Sequence, residues 1–125
     1  MVRREEGQAM VELAITLSLL LVILLGVMEF GRLGHAYLVV THAAREGARV
    51  AALGYGDDVV AERVLSAAST LNGSRIEVAV APGTRVRGEG VMVQVSYPVE
   101  IITPLIQQIV PSPVIVRGKT TMRVE

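Results

Sequence analysis

Sixteen consecutive residues, Leu13 to Met28, carry no charge, and a single acid, Glu12, stands at their entrance. As a helix this run rises roughly 24 Å, and counting from Gln8 gives roughly 31 Å, close to the hydrocarbon thickness of a bilayer. Seven Leu, two Ile and two Val in the run favour insertion by about −3 to −7 kcal/mol before Thr16, Ser18 and Gly26 are set against them. The chain is therefore expected to cross a membrane once, over about residues 13–28. A carboxylate at mid-bilayer costs about 2.5–3.5 kcal/mol, so Glu12 is tolerable only because it sits near one end, where it keeps water or meets a cation.

Composition narrows the rest. With that segment committed to a membrane, 125 residues leave room for one small further domain and little for an enzyme cleft. Twelve basic residues balance twelve acidic ones, so no long-range field points to nucleic acid. No cysteine is present, which removes disulfides, thiol catalysis and cysteine-ligated zinc. Three Tyr, one Phe and no Trp offer few platforms for stacking bases.

Ahead of the run, Met1–Gly7 (M-V-R-R-E-E-G) is a hydrophilic leader whose two Arg and two Glu cancel. Behind it, Glu29 to Leu53 has no proline, so the helix is expected to continue as one rod over residues 8–53, with Gly26, Gly31 and Gly34 as weak points for a bend. Glu29 with Arg32, and Glu46 with Arg49, are three apart and suit exposed pairs across one turn. Ala43, Gly47 and Ala51, beside Ala44, Ala48 and Ala52, repeat every four residues. Such a thin stripe admits another backbone closely, and the protein's own sheet is the expected partner.

Gly54-Tyr55-Gly56 should stop the rod, with Asp57 capping a helix from Asp58 to about Leu71 whose inner face is Val60, Val64, Leu65, Ala68 and Leu71. Asn72-Gly73 makes a turn. The period then falls to two: Ile76, Val78 and Val80, a polar loop from Pro82 to Gly90, then Val91, Val93, Val95 and Tyr97 read as an antiparallel hairpin. Thr103 to Val110 suits a short helix with Pro104 in its first turn. A last strand, Val114 to Val124, sets Val116, Thr120, Met122 and Val124 against Arg117, Lys119, Thr121 and Arg123. The fold class is α+β: a long N-terminal transmembrane helix, a short helix and a small antiparallel sheet of about three strands, with residues 54–125 as a head.

No catalytic, cofactor or metal site is expected. His35 and His42 are seven apart with no third ligand, the Pro82–Gly90 loop lacks the G-K-[ST] of a phosphate cradle, and no G-x-S-x-G elbow occurs.

Two segments carry a family resemblance. G-Q-A-M-V-E-L-A, an apolar run and G-V-M-E-F-G-R from Gly7 to Arg32, then T-H-A-A-R-E-G-A-R-V-A-A from Thr41 to Ala52, resemble the TadE-like pilus-assembly family. Gly7 with Glu as the fifth residue after it resembles the prepilin-peptidase site of type IV pilin-like proteins. The resemblance implies cleavage between Gly7 and Gln8 and a pilin-like fold. It also implies a single-pass protein of the bacterial cytoplasmic membrane, its C-terminal domain extracytoplasmic or carried on a cell-surface pilus. Its implied partners are the prepilin peptidase, other pilin-like subunits and the assembly machinery of a tight-adherence pilus, without nucleic acid. In related pilins the new ammonium of one subunit neutralises the acid of the next, which would give Glu12 an assembly role with Gln8. Arginines flank the apolar run on both sides, so charge counting leaves orientation open. Two readings stay open: the one the resemblance implies, a minor pilin or pseudopilin that enters a filament or homo-oligomer, and a bitopic anchor whose extracytoplasmic head recruits assembly or cell-envelope partners without entering a filament.

Overall fold

The computed structural model describes residues 2–125, so Met1 of the expected leader lies outside the described residues. Helix α1 (Val2–Ala52) is followed by α2 (Asp57–Ala67), a single 3-10 turn (Gly73–Arg75), β1 (Glu77–Ala81), β2 (Gly90–Val99), α3 (Pro104–Gln107) and β3 (Val114–Arg123). The architecture is α+β, with a long apolar helix, a short helix and a three-stranded antiparallel sheet ordered β1-β2-β3.

Helix α1 is 51 residues long, about 75 Å at 1.5 Å per residue, and it stays helical through Gly26, Gly31 and Gly34. It stops where Gly54 takes φ +93, a conformation that glycine reaches without steric cost, and where the Gly54 amide donates to Ala51 O at 3.0 Å. A carbonyl left over at the helix end is also used: the Glu125 amide donates to Ala52 O at 3.0 Å, tying the chain's last residue to the end of α1.

The sheet lies along the C-terminal half of α1. Val93 of the central strand pairs with Val80 on one side and Thr120 on the other, and Val95 with Val78 and Gly118. Because strand side chains alternate, Val91, Val93 and Val95 all point into the core and are fully buried. They meet Val40, Ala43, Ala44, Ala48 and Ala51 of α1, and Val60 and Val64 of α2, none of which is exposed. A core of valine and alanine has small side chains, so its backbones must approach closely. Gly118 marks the closest point: a Cβ there would lie 2.6 Å from Val40 O and 2.7 Å from Thr41 Cα. A strand glycine so placed admits another backbone.

Three local expectations are corrected. Asp57 does not cap α2; it is the first helical residue, Gly56 is the N-cap, and no side chain caps the helix. The Asp57 carboxylate instead pairs with Arg85 of the β1–β2 loop, which draws it away from the amides it was expected to accept. The α-helix ends at Ala67 rather than near Leu71, although a turn continues through Leu71 N to Ala68 O. Leu65 is 41% exposed, because the buried line of α2 is Val60, Val64 and Ala68 while Leu65 lies beside the turn at Gly73.

Candidate functional site

Helix α1 offers two surfaces, one bare and one covered. From Arg3 to Met28 every side chain is exposed, and only Gly26 is partly covered. The bare surface includes Leu13, Ile15, Leu19, Val27 and Met28, each at least 60% exposed. Leucine, isoleucine and valine occur on all sides here rather than on one stripe, the pattern of a helix that needs an apolar surround. One polar group is already satisfied in a way that suits such a surround: the Ser18 hydroxyl donates to Ala14 O at 2.8 Å. This helix is long and apolar enough to cross a membrane.

Gly7, Gln8 and Glu12 lie at the outer end of that bare half, all exposed and all within the helix. Gln8 and Glu12 are four apart, so they share a face. Among the described residues no side-chain hydrogen bond or ion pair reaches the Glu12 carboxylate. Ala44, Gly47, Ala48 and Ala51 sit in the covered half, all buried. A Cβ on Gly47 would lie 2.6 Å from Val64 Cγ2 and 3.1 Å from Val93 Cγ1, so this stripe packs against both α2 and the central strand.

Between the two surfaces stands Glu29. Sequence spacing suggests an exposed pair with Arg32; the pair forms, with Arg32 Nη1 donating to Glu29 Oε2 at 2.9 Å, but Glu29 itself is only 4% exposed. Its other oxygen, Oε1, accepts from the Ile102 amide at 2.9 Å, the Thr103 amide at 2.8 Å and the Thr103 hydroxyl at 2.8 Å. A carboxylate with this many donors compensates for the loss of water on burial. Thr103, 7% exposed, is closed in with it. The contact spans more than seventy positions, which explains why residue spacing gave no sign of it.

Glu46 likewise finds a different partner from the one expected. Arg63 of α2 donates to Glu46 Oε2 through Nε at 3.3 Å and Nη2 at 3.0 Å, so the acid joins two helices instead of pairing with Arg49 along one. The Arg63 hydrogen bond holds the Glu46 carboxyl below the usual carboxylate range against partial desolvation, with Arg63, Arg49 and His42 adding favourable charge. The pair lines an open groove of about 510 Å³ with Arg49, Tyr55 and Glu62. His35 and His42 are both exposed, and among the described residues no group of three His, Cys, Asp or Glu is placed to hold a metal.

The bare apolar run, the glycine and acid at its outer end and the first part of the thin stripe, through Ala48, fall within one matched segment: residues 7–49 fit the model of the family described as TadE-like protein. Over that segment the chain is similar to this family. The match ends three residues short of the end of α1, so it covers the bare half and most of the covered half but none of the head. No curated protein and no solved structure matches the chain.

Proposed function

We propose that this TadE-like chain is a pilin-like subunit, a minor pilin or pseudopilin, of a tight-adherence, type IV-type pilus, cleaved after Gly7 and assembled through its apolar helix. The observation that carries the proposal is the bare half of α1. It stands outside the fold with its leucines, isoleucines and valines uncovered, and both lipid and a bundle of like helices cover such a surface. Before assembly the helix anchors the subunit in the bacterial cytoplasmic membrane as a single pass, with the head outside. On assembly it leaves the lipid for the apolar contacts of neighbouring subunits. The prepilin peptidase and the pilus-assembly machinery are the partners of these two steps. Adhesion by the pilus is the resulting activity of the whole assembly.

Glu12 then has a definite task. An unpaired ion in a filament core is strongly unfavourable, and cleavage after Gly7 creates a cation, the ammonium of Gln8, that a neighbouring subunit can offer it. The pair sets axial register while apolar contact supplies most of the attraction. The experiment is Glu12→Ala in cells, read by immunogold electron microscopy with an antibody to the head and by membrane fractionation. Normal membrane insertion with few or no labelled filaments is expected; a wild-type filament yield refutes the pairing. Label confined to membranes in the unsubstituted protein would instead favour a resident anchor with an adaptor head.

A further inference from the structure

The connection between β2 and β3, residues 100–113, is unlike the rest of the head. It exposes Ile109 at 83%, Ile102 at 67% and Leu105 at 52%, and Phe30 of α1, next to Glu29, is 76% exposed. These are among the barest large apolar side chains of the molecule outside the helix run itself. Exposed apolar side chains clustered in one connection mark a contact surface.

Where that connection sits follows from the register of the sheet. At one end of the sheet Gly90 pairs with Arg123, and the chain end beyond it bonds to Ala52, at the far end of α1. Midway, Gly118 abuts Val40 and Thr41. At the other end Val99 pairs with Val114, and the next residues bond to Glu29. The sheet therefore runs along α1 from Ala52 back to Glu29, and residues 100–113 form the end nearest the apolar run. Glu29 directly follows that run. Its hydrogen bonds to Ile102 and Thr103 hold the connection at that level. Two further bonds firm up the connection: the Ile101 amide donates to the Ser112 hydroxyl at 3.3 Å, and the Gln107 amide group donates to Ile101 O.

We propose that this connection is a second membrane contact, in which Ile102, Leu105 and Ile109, together with Phe30, the neighbour of Glu29 in α1, rest in the headgroup and upper acyl region of the bilayer. The occupant is lipid because the surface is continuous with the end of the membrane-crossing helix, and because aliphatic side chains at that level gain by leaving water. Glu29 is then a positioning residue: it fixes the connection, and so the depth and tilt of the head, from the last turn before the lipid. Arg32, half-exposed beside it, stands where a cation meets anionic headgroups. The inference rests on membrane anchoring by the apolar helix, and its test separates the two.

The chain has no cysteine, so a nitroxide can be placed at one site at a time on the full-length protein in phosphatidylcholine–phosphatidylglycerol vesicles. Ile109→Cys probes the connection, Leu20→Cys the helix, and Thr84→Cys the loop at the opposite end of the sheet. Collision with oxygen, which concentrates in lipid, is compared with collision with a water-soluble nickel chelate. Oxygen is expected to dominate at Leu20 and, at a shallower depth, at Ile109, while the chelate dominates at Thr84. Ile109 behaving like Thr84 while Leu20 remains in lipid overturns the contact and leaves anchoring intact. Ile109 shielded from both reagents shows a protein partner there and also overturns it. Leu20 in water overturns anchoring and the contact together.

Discussion

From Leu13 to Met28, α1 carries leucine, isoleucine and valine on every side, and none of them is buried; from Ala36 to Ala52 its inward face is valine, alanine and glycine, and that face is closed completely. The backbone is the same and the solvent differs. Large side chains on all sides suit a surround that is fluid or built from other subunits, where no fixed shape must be matched. Small side chains on one side suit a fixed partner, because only they let a sheet and a second helix come within contact of the helix backbone. Glu29 is the joint between these regimes: no residue from Arg3 to Met28 is buried, and Ala36, Val40 and Ala43 follow it on the closed face.

The contrast can be broken hardest at the closest approach. Gly118→Val should prevent the head from packing on α1, since even a Cβ would lie 2.6 Å from a backbone oxygen. Overpacking typically costs about 1–3 kcal/mol and more where backbone must move. Limited proteolysis of the detergent-solubilised protein should show the head cut rapidly. Gly26→Ala is the matched control in the bare half, where a Cβ meets nothing within 4 Å; head resistance and membrane insertion should stay unchanged.

Glu29→Ala should come next. It leaves the Ile102 and Thr103 amides without their acceptor, and an unsatisfied buried donor costs about 1–3 kcal/mol. Hydrogen exchange should show protection lost at residues 101–103 and retained at Val93. Retained protection at both would mean that the carboxylate does not hold the connection.

Much of this division was readable beforehand, and the limits are physical. The apolar run, the period-two strands and the Asn72-Gly73 turn are local patterns, set by neighbours within a few positions. The Asn72 side chain does accept from the Ser74 amide at 3.2 Å, as a turn residue should. Glu29 and Glu46 were misread as exposed pairs on one helix because spacing shows only what lies one turn away. Their partners, Thr103 and Arg63, come from elsewhere in the fold. Gly118 interrupts a strand pattern with no local signal of what approaches it. Glu12 is readable as an anomaly only because its neighbours are so apolar, and its partner is not within this chain's described contacts.

The smallest expected effect is on acidification. The folded Glu46 carboxyl titrates below its unfolded value, so its contribution is present above the unfolded pKa and is lost as pH falls through the folded one. Arg63→Ala should remove that part of the acid sensitivity. Because the Arg63 side chain is 53% exposed, water and salt screen the pair, and the difference in thermal midpoint between neutral and acidic pH should be slight.

The mass of the mature chain, isolated from the cells that make it, bears most directly on the pilin-like reading. Assembly through an ammonium at Gln8 predicts an intact mass lacking Met1–Gly7, with Gln8 as the first residue. A mature chain that keeps those residues has no such ammonium to meet Glu12, and would contradict the account.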